Sequence, residues 1–152
     1  MLPPKLHADL QKEFDFTLEF HDSNALFHPL DEGRILIHLP PPVKQGVPEL
    51  LINKSLAAKA ELVVLFMPAD TSTEWFAKAF AATDTARVDI KFIQGRVKYT
   101  VAGKVKRVPS CIIAFRGDAY IAKLNEDYVQ RLAAHKYGNS PNALQFTDRR
   151  SG

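Results

Sequence analysis

The chain has 152 residues, 46% of them hydrophobic and 24% charged, with a formal net charge of +3. One domain's worth of chain with enough apolar material for a core excludes a disordered tail or a linker. The longest apolar run, Leu62 to Pro68, is far short of the roughly 20 residues of a membrane span, so a soluble chain without a membrane partner is expected.

The spacing of Leu6, Leu10 and Phe14 after Pro3 and Pro4 predicts a first helix over 6–14. Phe16 to Phe20 is rich in strand formers, and His21-Asp22-Ser23-Asn24 breaks it. Arg34 to His38 reads as a short buried strand, stopped by Pro40-Pro41-Pro42 because prolines cannot donate to a sheet ladder. Pro48 introduces an amphipathic helix over 49–59. Glu61 to Pro68 is continuously apolar, the pattern of a strand covered on both faces. Thr71 or Ser72 is expected to cap a helix running through Ala82, with Thr71 and Glu74 as a capping box.

Ala86 to Ile93 alternates polar and apolar residues, which predicts a strand with one exposed, basic face. Gly95 to Tyr99 continues it, Ala102-Gly103-Lys104 is a turn signal, and Ser110 to Phe115 is a final strand. A last helix over 120–136 carries Ile121, Leu124, Tyr128, Val129 and Leu132 at helical spacing, stopped by Gly138. Strands alternating with helices predict a three-layer α/β domain closed by an antiparallel edge hairpin. Residues 1–138 are expected to form that single domain and 139–152 a loose polar tail.

Met1 to Lys5 carries no export signal, and the single cysteine, Cys111, sits in an apolar run. Both point to a reducing cytoplasm, with Cys111 as a small buried hydrophobe rather than a reactive thiol. Charge is unevenly placed. Residues 1–84 hold 7 basic and 12 acidic side chains, whereas 85–116 hold 8 basic and one acidic, Asp89. Arg96, Lys98, Lys104, Lys106 and Arg107 are the candidates for phosphate contact, with Tyr99 as an interleaved aromatic; the alternative is a solvated edge hairpin. His21, Asp22 and His28 contain metal-ligand chemistry, but no fourth ligand stands at recognisable spacing, so they read as a polar loop and no metal is assigned.

Five segments in order resemble one family. Leu2-Pro3-Pro4-Lys5-Leu6 through Glu13-Phe14-Asp15-Phe16-Thr17-Leu18, then Asn24-Ala25, is similar to the opening of the phage-type DNA adenine methyltransferases, the Dam-like enzymes that use S-adenosylmethionine. Leu65-Phe66-Met67-Pro68-Ala69-Asp70-Thr71-Ser72-Thr73-Glu74-Trp75-Phe76 is similar to the family's Leu-Leu-Pro-Ala-Arg-Thr-Asp-Thr-x-Trp-Phe. Phe92-Ile93-Gln94-Gly95-Arg96-Val97-Lys98-Tyr99 and Pro109-Ser110-Cys111-Ile112-Ile113-Ala114-Phe115 resemble its two closing blocks. The resemblance covers about residues 2–116 and implies a class I methyltransferase-type, Rossmann-like sheet, reduced in size, with a C-terminal antiparallel hairpin and a final helix.

Departures fall on the chemistry that the resemblance implies. Where the family has Asn-Pro-Pro-Tyr or Asp-Pro-Pro-Tyr, this chain has Leu39-Pro40-Pro41-Pro42, which reads as a decayed catalytic loop or as an ordinary rigid turn. Leucine cannot accept a hydrogen bond from an adenine amine, and proline is a poor stacking face for an extruded base. Losing one positioned polar group at a reacting centre costs about 2.7–4 kcal/mol, so loss of both partners leaves little reaction.

The implied cofactor end is Glu19, with Asp22 and Asn24, but Phe20 and His21 are bulky where small residues are expected. Three readings follow. In the first, a catalytically degenerate, phage-derived homologue binds DNA or a host protein in the host cytoplasm and needs no cofactor. In the second, an active S-adenosylmethionine-dependent adenine methyltransferase uses Asp22, His38 or Asp70 at the amine. In the third, a structural protein reuses the fold, with homo-oligomerisation as its role. The first is preferred, because the family signal is spread along the chain while the damage falls on the chemistry.

Overall fold

A computed structural model of the chain describes residues 2–138, with side-chain surroundings given through residue 135. It divides into two compact units at the Gly117–Asp118 junction. The first holds α1 (Pro4–Phe14), β1 (Leu18–Phe20), a 3-10 turn (Ser23–Phe27), β2 (Arg34–His38), α2 (Val47–Leu56), β3 (Leu62–Pro68), α3 (Glu74–Ala82), β4 (Val88–Val101) and β5 (Lys104–Arg116). The second contributes α4 (Asp118–Gly138) to the described residues, and the expected tail over 139–152 lies outside them.

The strands form one mixed sheet in the order β1-β2-β3-β5-β4. β1, β2 and β3 run parallel, while β5 returns antiparallel between β3 and β4. The chain is therefore α/β, as its alternating pattern implied. Parallel neighbours need crossovers: the 3-10 turn and the loop after it carry the chain from β1 to β2, and α2 carries it from β2 to β3.

Register sets what each face carries. Ile35, Ile37, Val63, Leu65, Met67, Cys111 and Ile113 point to one side and pack with Leu51 and Ile52 of α2 and Phe76 and Ala79 of α3. Leu36, Val64, Phe66 and Ile112 point to the other and are equally buried. The ion pairs His7–Glu19 and Glu13–Lys91 lay α1 across this second face, giving the three layers. Each large aliphatic side chain removed from water contributes about 1.5–3 kcal/mol, so β3, buried along Leu62–Met67, is the centre of both cores.

Some boundaries differ from expectation, each for a local reason. β1 begins at Leu18 because Phe16 instead joins Phe14 in an aromatic contact beneath α1. The cap of α3 is Thr73, whose Oγ1 accepts from the Phe76 N–H, rather than Thr71. Asp70 takes Ser72 into its own turn at 2.7 Å, which delays the helix. α2 begins at Val47 and ends at Leu56, two to three residues earlier than the pattern suggested.

β4 is one continuous strand with an irregularity between Phe92 and Arg96, where the sequence pattern also breaks at Gln94-Gly95. The Ala102-Gly103 turn has both residues at positive φ, 51° and 77°, the backbone hand that matches strand twist in a two-residue hairpin. In α4 the helical spacing holds, but Leu124 and Val129 are exposed.

Gly33, at the entrance to β2, has φ +81°. A Cβ there would meet Thr17 Oγ1 at 2.6 Å, the atom that accepts from the Arg34 N–H. Gly33→Ala therefore combines strain with a clash and is expected to destabilise the fold by about 1–3 kcal/mol in urea unfolding. An unchanged midpoint would refute this role for Gly33.

Candidate functional site

The carboxyl ends of β1, β2 and β3 open on one edge of the sheet, where α/β folds place their ligands. Three groups of residues gather at this edge.

The first is a chain of ring and carboxylate contacts. Glu19 and His21 are two residues apart, so they lie on the same side of the backbone at the end of β1. Glu19 Oε1 is 2.6 Å from His7 Nε2 of α1 and 3.2 Å from His21 Nε2. His21 Nδ1 meets His38 Nδ1 at 3.1 Å. His38 Nε2 meets the Tyr99 hydroxyl at 2.9 Å, with the two rings stacked. His38 has no exposed surface because the distal part of β4, with Val97 and Tyr99, covers this face.

Burial, followed by the charge of His21, pulls His38 down to about 3; burial pushes Tyr99 up to about 12. His38 is therefore a neutral ring at pH 7, and Tyr99 keeps its proton. Partial burial favours the acid form of Glu19, but the hydrogen bonds from His7 and His21 outweigh it and hold the carboxyl below its ordinary range. One proton order satisfies every contact. Tyr99 donates to His38 Nε2, His38 Nδ1–H donates to His21 Nδ1, and His21 Nε2–H and His7 Nε2–H donate to Glu19.

The second group is a cleft of about 620 Å³ between the amino ends of α2 and α3, lined by Pro41, Lys44, Met67, Asp70, Glu74 and Trp75 among others. Leu39 does not face it. Its side chain is buried in the α2-side core, and its N–H bonds the Phe66 carbonyl, so position 39 presents no polar side chain to the cleft. Pro40 and Pro41 are half-buried and Pro42 is exposed. Asp70 stands at the rim, its Oδ1 accepting from the Ser72 hydroxyl. Trp75 lines the cleft, whereas Phe76 turns inward against Phe80 and Phe92.

Asp22 and Asn24 do not join either group. Asp22 caps the 3-10 turn by accepting from the Asn24 N–H at 2.9 Å, and its other oxygen takes the Asn24 amide. His28 bonds the Pro29 carbonyl. Hence His21, Asp22 and His28 do not form a ligand set. The grouping that the structure makes is His7, Glu19 and His21, with ligand atoms all within 4.8 Å of one another. His7 escaped the sequence reading because twelve residues and a helix separate it from Glu19.

The third group is the hairpin. Arg96, Lys98, Lys104, Lys106 and Arg107 are all exposed. Lys98 stands directly opposite Arg107, and strand alternation puts Arg96 on the same side; Lys104 and Lys106 fall on the side of Val97 and Tyr99. The acids Glu13 and Asp89 pair with Lys91 of β4 and Arg116 of β5 instead.

The sequence matches no protein-family model and no curated protein. Among solved structures it is similar to one from Pyrococcus horikoshii, provisionally described as an RNA methyltransferase. The TM-score is 0.38 and the identity 11%, over 57% of this chain and 43% of that chain. The match thus spans less than half the length of that neighbour.

The neutral His38 has a consequence for stability. Its folded pKa, about 3, lies below the ordinary value of 6.5, so its contribution is complete above pH 6.5 and is lost as pH falls towards 3. The unfolded state takes up the extra proton in that window, at a slope of up to about 1.4 kcal/mol per pH unit. His38→Gln is expected to flatten the dependence of unfolding free energy on pH between 6.5 and 4. Identical slopes for the two proteins would contradict it.

Proposed function

We propose that this chain is a nucleic-acid-binding protein on a methyltransferase-like scaffold, one that holds DNA without methylating it. The observation that carries the reading is the direct pairing of Lys98 with Arg107 across the hairpin. Like charges facing each other at about 5 Å in an antiparallel pair destabilise a sheet. Neither residue has an ion-pair partner among the described residues, so the repulsion is unrelieved within the fold, and a phosphate would relieve it. Arg96, Lys98 and Arg107 make the contact row, and Lys104 and Lys106 reach phosphates from the hairpin's tip.

Absence of reaction is supported by Leu39. At the strand end where the resemblance to DNA adenine methyltransferases asks for an amide or carboxylate, the side chain is apolar and buried in the core. A second reading, an active enzyme using S-adenosylmethionine, is favoured by the cleft of about 620 Å³ beside Asp70, which has room for a nucleoside cofactor. Against it, Glu19, the acid at the implied cofactor end, is already engaged by two imidazoles.

The test is fluorescence anisotropy with a short labelled DNA duplex at several salt concentrations. The logarithm of affinity should fall against that of salt with a slope between about −2.7 and −4.5, for three to five phosphates. Arg107→Glu should weaken binding at least about tenfold while leaving stability unchanged or raised by a few tenths of a kcal/mol. Salt-independent binding, or an Arg107→Glu protein that binds like the parent, would overturn the proposal. Transfer of labelled methyl groups from S-adenosylmethionine to unmethylated DNA would favour the second reading.

A further inference from the structure

We propose that His7, Glu19 and His21 form a binding site for a divalent first-row transition metal ion such as Zn²⁺, with His38 and Tyr99 as the outer partners that orient it. The three ligands lie outside the basic hairpin, which contributes only the outer partner Tyr99, so the proposal does not rest on DNA binding.

Two imidazoles and one carboxylate are the donor set that suits such ions and leaves coordination positions open. A tetrahedral ion bonded at about 2.0–2.1 Å needs ligand atoms about 3.3 Å apart. His21 Nε2 already lies 3.2 Å from Glu19 Oε1, His7 Nε2 lies at 2.6 Å, and all three atoms fall within 4.8 Å. An ion would draw the Glu19 oxygen back from His7 and bring all three ligand atoms to about 3.3 Å from one another. The ligands come from α1, β1 and the residue after β1, so a helix and a sheet that are packed together hold them. Their side chains keep 37%, 28% and 41% of their exposure, which gives the ion an entry path and a place for water.

The outer contacts distinguish the arrangement from a chance cluster of polar side chains. A metal-binding histidine normally has its second nitrogen fixed by another group. When His21 gives its Nε2 lone pair to an ion, its proton must sit on Nδ1, and His38 Nδ1 is already 3.1 Å away to accept it. His38 then carries its own proton on Nε2 and donates it to the Tyr99 oxygen at 2.9 Å. The three groups keep the same number of protons, and only the direction of the two hydrogen bonds reverses. Glu19 in turn loses two donors and gains a cation.

The experiment is calorimetric titration of the tag-free, full-length chain with Zn²⁺, repeated with Co²⁺ so that visible absorption reports the coordination geometry. One ion per chain at micromolar or tighter affinity is expected. His7→Ala, His21→Ala and Glu19→Gln should each weaken binding by about tenfold or more, whereas His28→Ala should leave it unchanged. Tyr99→Phe, which keeps the ring and removes the outer partner of His38, should weaken it by about tenfold. Should the alanine variants lose their far-ultraviolet circular dichroism, His7→Gln retains a donor to Glu19 and replaces them. Absence of binding, affinity insensitive to His7 and His21 changes, or an equal loss in His28→Ala would overturn the proposal.

Discussion

Six consecutive side chains of β3, Leu62 to Met67, are withdrawn from water. A strand in that condition needs a neighbour on each edge and a layer on each face, because its backbone groups and both rows of side chains must be satisfied away from solvent. β2 and β5 supply the edges. α2 and α3 supply one face, while α1 and the distal part of β4 supply the other. The geometry at the carboxyl edge is a by-product of this demand. The hairpin covers His38 with Tyr99, and α1, on the same face, delivers His7 to Glu19.

The same dependence explains what the amino-acid sequence made legible. Continuous apolarity in 62–68 announced a doubly covered strand, and the alternation in 86–93 announced an exposed face; both follow from which rows of side chains must avoid water. The hairpin turn was visible at Gly103, a residue suited to positive φ, whereas Ala102 at +51° does not announce such a backbone. Helix limits were less visible, since Thr71, Ser72 and Thr73 are all competent caps. What selects among them is the Asp70 side chain's bond to Ser72, a contact no periodicity records.

The candidate site was readable in pieces only. Glu19 stood out as an acid at a strand end, and His21 as a bulky residue where a small one was expected. The relation between them and His7, His38 and Tyr99 depends on which helix lies on which face, and on a side-chain contact between His38 and Tyr99 that spans 61 residues. Asp22 and Asn24 had the right chemistry for a ligand contact, but they are spent on the local turn. Leu39 is the reverse case. Its apolar character was plain in the sequence, and the structure adds that its side chain belongs to the core on the α2 side.

β4 is fourteen residues long and forms one edge of the sheet, while the opposite edge is the three-residue β1. A long open edge invites another chain to pair with it, and charged side chains together with a break in the ladder are what discourage that. Asp89, Lys91, Arg96 and Lys98, with the irregularity between Phe92 and Arg96, blunt this edge. Protection of this kind depends on the presence of charge and not on its sign, whereas attraction to phosphate depends on the sign. Replacing the hairpin's cations with acids would therefore leave this edge as resistant to self-assembly as before, and replacing them with alanine would not.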